Sequence, residues 1–371
     1  MGICLANFPE FSLWTFADPA THTAGDRVVQ GLLTFFVDGK FYTLFSILFG
    51  MGFAIQLENA GQKTRTFYRR MCILFLIGLL HLLFIWSGDI LMLYASMGML
   101  LPLFRKLPTK GILAAAGVFL VLPVVSDALL GNRLSAPIEA AQWRICGAYG
   151  ITEANFGTWL RDAGSYREVF QFLKQGAVER MWEFVSSHRY FKVLGLFLIG
   201  YAAGRERIFA NLDRFRPLLR RILAAGLAMG LVFGSAYTWS AMGGHPLGDV
   251  AHAGFYLLGV YPLGLAYAAG FCLLFRKSPE AGIWKGFAYP GRMACTNYLF
   301  QSVFGVLIFY GIGLGLGAGV INLLQTELVA LGVYLFQVAF SALWLSRFKF
   351  GPVEWIWRML TYGQVLPMRK R

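Results

Sequence analysis

Apolar residues gather into long runs separated by short, mostly basic loops, and these runs are spread over the whole chain. A hydrocarbon core of about 30 Å needs roughly 20 apolar residues in a helix. On that measure the pattern predicts membrane-crossing segments at 41–57, 71–86, 89–104, 111–130, 190–204, 218–242, 250–275, 296–316 and 322–346. Several are short, so their helices are expected to run into the flanking loops. The opening "MGICLANF" reads as the tail of a further apolar helix, which predicts a first helix lacking its N-terminal half. With no basic n-region and no small-residue cleavage site, it is not a signal peptide. The expected fold is an all-α, polytopic transmembrane bundle of about 10–11 segments. Nothing repeats the roughly ten-residue alternation of an outer-membrane barrel.

Residues 131–189 are too polar to cross a bilayer. Within them Tyr166, Phe170, Leu173, Ala177, Met181 and Val185 recur at three- and four-residue steps, and Trp182 widens the stripe. Glu168, Lys174, Glu179 and Glu183 fall elsewhere around the helix. This predicts an amphipathic helix that lies on the outer interface or caps the bundle. The chain thus divides into N-terminal transmembrane helices (1–130), an extracytoplasmic segment (131–189) and C-terminal transmembrane helices with a basic tail (190–371). No internal repeat is evident, so a transporter built from inverted repeats gains no support.

Composition agrees: 57% of residues are hydrophobic and 14% charged, where a soluble domain is near a quarter charged. A net charge of +14 would suggest nucleic acid in a soluble protein. Here topology absorbs it. Alternating the segments across the bilayer puts loops 58–70, 105–110, 205–217, 276–295 and the tail 347–371 on one side. Together with Arg220 and Arg221 these hold 23 of the 33 Lys and Arg. Positive charge marks the cytoplasmic side, so the expectation is a multi-pass protein of the bacterial inner membrane with a cytoplasmic C-terminus. The basic loops suit anionic headgroups or a nucleotide-bearing cofactor, and no nucleic acid is expected. The five scattered cysteines imply neither a disulfide framework nor a zinc site, and no metal is expected.

The polar residues inside or beside the apolar runs are the candidate chemistry, because they are costly at membrane depth. All five histidines fall on the outer half. His188 and His245 read first as solvated loop residues. His81 lies inside a span, and the tight Ser87-Gly88 turn makes its helix the antiparallel neighbour of one opening at Asp89. Either the two residues join helices, with Asp89 as an N-cap, or His81 is a general base. Direct contact requires the helix to unwind near Trp86. In "THTAGDRVVQGLLTFFVDGKFYTLF", His22 and Asp26 fall on an outer loop, ahead of Asp38 and Lys40. Asp38 and Lys40 are two apart, so each needs its own partner, unless Asp38 caps the helix. In "YPGRMACTNYLFQS", Pro290-Gly291 breaks the chain before a helix on which Asn297 and Gln301 share a face near Tyr298. Arg292 there is suited to grip a phosphate at the inner edge. Trp355, Trp357 and Arg358 read as an interfacial aromatic anchor. No GxSxG, HExxH, P-loop or strand-borne GxGxxG is present.

Three stretches resemble a known family. "DGKFYTLFSILFGMGF", "RRMCILFLIGLLHLLFIWSGDILMLYASMGMLLPLF", and "GRMACTNYLFQS" with "GPVEWIWRMLTYG" look like the YeiB-type bacterial inner-membrane proteins, including their C-terminal domain of unknown function. More remotely they are similar to the transmembrane acyltransferases, which include heparan-alpha-glucosaminide N-acetyltransferase and the polysaccharide O-acyltransferases. That likeness implies a cytoplasmic acyl-CoA donor and an acceptor across the membrane. It puts Asn7 of "ICLANFPEF" at the polar position of the first helix and His22 near the catalytic histidine. "DGKF" resembles the Asp-containing start of the next helix, and the usual Arg-Gly of the first helix is absent.

The reading is then an acyltransferase with His22 or His81 as base, and Asp38 and Asp89 beside them. Asn7, Lys40, Arg292, Asn297, Tyr298 and Gln301 bind donor or acceptor. Asn7, Asn297 or Tyr298 would face the oxyanion. Expected partners are membrane lipids, acyl-CoA, an extracytoplasmic glycan or small-molecule acceptor, and a second copy in a homodimer. Two alternatives stay open: a proton-coupled transporter using His81, Asp89 and Asp38 as a relay, and a non-enzymatic lipid-binding scaffold.

Overall fold

The computed structural model describes residues 1–16, 22–58 and 64–370, with no β-strand among them. The first half comprises α1 (Gly2–Phe11), α2 (Ala24–Phe36), α3 (Lys40–Glu58), α4 (Thr64–Phe84), α5 (Leu91–Gly98) and α6 (Thr109–Leu130). The segment after it folds as α7 (Ala136–Tyr149), α8 (Glu153–Asp162) and α9 (Tyr166–Ser186). The remainder is α10 (Arg189–Arg205), α11 (Leu212–Met242), α12 (Asp249–Phe255), α13 (Tyr261–Lys277), α14 (Ile283–Arg292), α15 (Ala294–Phe309), α16 (Leu323–Arg347) and α17 (Pro352–Tyr362). Six stretches are long and apolar enough to cross a membrane: Ala24–Gln56, Thr64–Phe84, Thr109–Leu130, Leu212–Met242, Asp249–Lys277 and Leu323–Arg347. Leu91–Phe104 and Ala294–Phe309 are shorter apolar helices. All nine expected spans overlap helices, although residues 85–90 and 310–316 lie outside any helix, and the six long apolar stretches are fewer than the 10–11 segments expected. The protein is an all-helical membrane protein.

Leu324, Leu328, Leu331 and Leu335 form an exposed stripe down α16, as do Val118, Val121, Val125 and Leu129 on α6. Such bare apolar stripes need lipid rather than water against them. The core lies around α10, where Val193, Leu196, Phe197 and Leu198 are fully buried. Glycines bring α10 against α3: a Cβ on Gly50 would collide with the Phe197 carbonyl, and one on Gly200 with that of Ile47. Small residues at such crossings let helix backbones approach closely.

Two irregularities shape the interior. The chain breaks between α2 and α3 at Gly39, whose φ of +71° suits glycine. Between α12 and α13 a π-turn covers Tyr256–Val260, ahead of Pro262, which cannot donate a backbone hydrogen bond.

A helix is present where the amphipathic segment is expected, as α9, but its buried face differs from the expected stripe. Val169, Phe172, Leu173, Gly176, Arg180 and Phe184 are buried, whereas Tyr166 is half exposed. The expected stripe assumed a single apolar side. In the fold α9 packs against α4, α7, α8 and α10, and Arg180 is buried because it finds charged and carbonyl partners. The helix caps one end of the bundle. The opposite end carries α14, α17 and the basic loops.

Candidate functional site

Among the described residues, a large cavity of about 1330 Å³ lies within the bundle. At the basic end its wall includes Gln56, Arg70, Arg292, Glu354 and Trp357; at the capped end it includes Asp38, Asp127, Lys192, Tyr237 and His252. Between them lie Asn7, Glu10, Tyr94, Asn297, Tyr298, Gln301 and Gln337. Ionisable groups on a cavity wall inside an apolar bundle mark a pathway or site.

The basic mouth is built by α4, α15 and α17. Trp357 Nε1 donates to the Arg70 carbonyl at 3.0 Å, and the Arg70 guanidinium lies 4.5 Å from the Trp357 ring. Trp357, expected as an interfacial anchor, thus holds a cation at the cavity edge. Glu354 accepts from the Cys295 backbone N–H at 2.7 Å and from that of Thr296 at 3.1 Å, fastening α17 to the first turn of α15. Arg292 is exposed on the same rim and donates at 3.4 Å to the Lys349 carbonyl, which leaves most of its donors free.

The middle is lined by one face of α15 against α16, as the four-residue spacing of Asn297 and Gln301 implied. Asn297 Nδ2 donates to Ser341 Oγ at 3.0 Å, and Gln301 Nε2 donates to Gln337 Oε1 at 2.9 Å. Gln337 Nε2 in turn donates to the Asn297 carbonyl at 2.8 Å. Asn297 Oδ1 and Gln301 Oε1 are buried with no partner. Both residues line the cavity, and the two oxygens lie buried just behind its surface as unsatisfied acceptors.

At the capped end the Gly39 break turns Asp38 and Lys40 apart. Asp38 Oδ2 accepts from Tyr237 at 2.6 Å and faces the cavity, whereas Lys40 is fully buried and donates to the Thr34 carbonyl at 2.7 Å. His252 Nδ1 pairs with Ser240 Oγ at 3.1 Å, and its ring stacks 3.8 Å from that of His245. His245 pairs with Asp249 at 2.7 Å. His188, read as a solvated loop residue, is instead buried and paired with Asp127 at 2.9 Å. It sits in a left-handed turn between α9 and α10 that draws it under the cap. Arg180 pairs with Glu183 and with Glu10 (3.4 Å), and Arg189 shares Glu183. Lys192 lies over the Tyr256 ring at 4.3 Å.

His81 and Asp89 do not line the cavity; they are 1% exposed, directly behind it. Helix α4 ends at Phe84, with the Ile85 and Trp86 amides both donating to the His81 carbonyl, and this unwinding lets the two side chains meet. His81 Nδ1 is 2.8 Å from Asp89 Oδ2, and Nε2 is 2.8 Å from Ser302 Oγ on α15. Asp89 Oδ1 accepts from the Met92 amide at 2.8 Å, so the carboxylate also caps α5. His22 lies elsewhere, stacked on Trp14 at 4.1 Å and away from the cavity. Of the sequence candidates, the cavity gathers Asn7, Asp38, Arg292, Asn297, Tyr298 and Gln301; His22, His81, Asp89 and Lys40 are not on its wall. Sequence reasoning missed Arg70, Arg180, Arg189, Lys192 and His252. Ser302, at the end of the "YPGRMACTNYLFQS" stretch, carries no local signal of a role.

Residues 203–364 match the family model described as "Protein of unknown function (DUF418)". The chain is 31% identical to Uncharacterized protein YxaH of Bacillus subtilis over 93% of its own length and 85% of that protein. It is 31% identical to an Uncharacterized 39.9 kDa protein in amylase 3'region of Bacillus acidopullulyticus, over 99% and 92% respectively. It is 28% identical to Uncharacterized protein YeiB of Escherichia coli, over 97% and 93%. The chain belongs to this family of YeiB-like bacterial proteins. No solved structure matches it.

Proposed function

We propose that the protein is a transmembrane acyltransferase of the bacterial cytoplasmic membrane. It takes an acyl group from acyl-CoA at the basic end, which faces the cytoplasm together with the C-terminus. It delivers that group to a hydroxyl or amine acceptor, such as a glycan, at the capped end. The observation that carries this reading is the cavity joining Arg70 and Arg292 at one mouth to Asp38, Lys192 and His252 at the other. Guanidinium groups suit the CoA phosphates. The amide side chains of Asn297, Gln301 and Gln337 on the cavity wall suit the polar groups of a pantetheine arm threaded past them. His81, with Nδ1 held by Asp89 and Nε2 against Ser302 Oγ, is the base in this reading, and it takes part once the wall in front of it opens.

The test is binding of acetyl-CoA and longer acyl-CoAs to purified protein, beside free CoA and ATP. Saturable acyl-CoA binding that weakens in Arg292→Ala is the expected result. An absence of binding overturns the reading and gives first place to a transporter, for which proton-coupled uptake into vesicles is the corresponding assay.

A further inference from the structure

We propose that Ser302 is a nucleophile that carries the acyl group as a serine ester, with His81 as its base and Asp89 as the positioning residue. The inference rests on the acyltransferase reading and adds a covalent step to it. Three distances carry it. Ser302 Oγ to His81 Nε2 and His81 Nδ1 to Asp89 Oδ2 are each 2.8 Å, and Asp89 Oδ1 is fixed by the Met92 amide at 2.8 Å. The carboxylate holds the proton on Nδ1, so Nε2 is left as the acceptor facing the hydroxyl. Those are the roles that define a serine nucleophile, its base and its orienting acid on any fold. A buried imidazole needs partners for both nitrogens; here those partners are a carboxylate and a serine hydroxyl, in a chain across α4, the α5 cap and α15.

The wall between this chain and the cavity is thin. Tyr298, one turn before Ser302, lines the cavity, and its ring lies 5.3 Å from that of His81. Its hydroxyl donates to the Gly88 carbonyl and accepts from the Ile90 amide, each at 3.3 Å, bracketing Asp89. These are long bonds, and a ligand entering the cavity can offer the Gly88 carbonyl and Ile90 amide replacement partners when Tyr298 swings aside. The burial of Ser302, fully inaccessible in this conformation, keeps water from an ester formed there.

In the first half-reaction Ser302 Oγ bonds to the acyl carbon while its proton passes to His81 Nε2. The carbon–sulfur bond breaks, and CoA leaves as the thiol with that proton. In the second, the acceptor hydroxyl or amine attacks the serine ester and gives its proton to His81. The bond from the acyl carbon to Oγ then breaks, and the serine recovers a proton.

The first half-reaction needs no acceptor, which makes it testable on the purified full chain with acetyl-CoA and longer acyl-CoAs. The expected result is a burst of about one CoA thiol per protein and an acyl adduct on the peptide containing Ser302. Ser302→Ala should bind acyl-CoA as before and release at least about a hundredfold less CoA in the burst. Ser302→Cys, close in shape, should form a thioester labile to neutral hydroxylamine. Asp89→Asn should slow the burst while acyl-CoA binding stays as in the parent, because the imidazole loses the partner that fixes its orientation, and Asp89→Glu should recover part of the rate. Binding without a burst, or an adduct on another residue, overturns the covalent step and leaves the acyltransferase reading standing. No binding at all overturns both.

Discussion

The Arg70 guanidinium lies 4.5 Å from the Trp357 ring, while the Trp357 indole N–H donates to the Arg70 carbonyl at 3.0 Å, so two residues 287 apart in sequence hold each other at the basic mouth. The ring fixes one face of a cation whose other donors point to the cavity. Arg70→Ala should weaken acyl-CoA binding by about tenfold, and Arg70→Lys should recover only part, because an ammonium cannot offer the planar fork. Titration of acyl-CoA into the three proteins checks this. Equal affinities would remove Arg70 from the donor site.

Arg180 is the keystone of the capped end. It is 8% exposed, donates to the Ser87 carbonyl at 2.8 Å, and is shared between Glu183 and Glu10. Removing one partner from a buried ion pair leaves an uncompensated charge, at a cost of about 3–5 kcal/mol. Arg180→Ala should therefore lower the melting temperature sharply in detergent. Adding Glu10→Gln, which removes the carboxylate left unpaired while Glu183 keeps Arg189, should restore part of the loss. If the single substitution melts like the parent, the cluster carries little of the fold.

Most of the bundle was legible because a hydrophobic run of span length is rarely anything but a membrane helix. The exception was α2, whose Asp26, Arg27, Gln30 and Thr34 depress its hydropathy although it continues the α3 stretch past the Gly39 break. Helices α7 and α8 were hidden for the same reason. The shared face of Asn297 and Gln301 was readable because four residues is a helical period. Arg189 and Lys192 were counted as loop charge, since nothing local distinguishes a solvated cation from one drawn under a cap. The pairing of His81 with Ser302 spans 221 residues, and residue spacing carries no such long-range information.

The α3–α10 crossing offers a packing test. Gly200→Ala drives a methyl into the Ile47 carbonyl, and since backbone lies on both sides the helices must separate. Overpacking of this kind costs about 1–3 kcal/mol. Both helices line the cavity, so acyl-CoA binding should weaken too. Gly117→Ala on α6 is the control: a Cβ there meets nothing within 4 Å, and the change should be neutral or stabilising by up to about 1 kcal/mol. Equal melting temperatures for the two variants would refute the close crossing.

Glu179 gives the fold a pH dependence of known sign. On α9, outside the spanning helices, its half-buried carboxyl is pushed up from an ordinary value of 4.5 to about 7 by burial, against the opposing charge of Arg180 and with the like charge of Glu183 adding to it. Its side chain meets Gln175 Nε2 at 3.5 Å. Between those two values the folded protein holds a proton that the unfolded chain has lost. Stability from this group therefore falls as pH rises from about 4.5 to about 7 and stays at its lowest above. Glu183 stays ionised through this window: although burial opposes it, Arg180 and Arg189 hold its carboxyl below the usual range. Glu179→Gln keeps the shape and the hydrogen bond while removing the charge. Its melting temperature should match the parent at pH 4.5 and exceed it by about 2–5 °C at pH 8. A constant offset at both pH values would mean that the carboxyl does not titrate in this window.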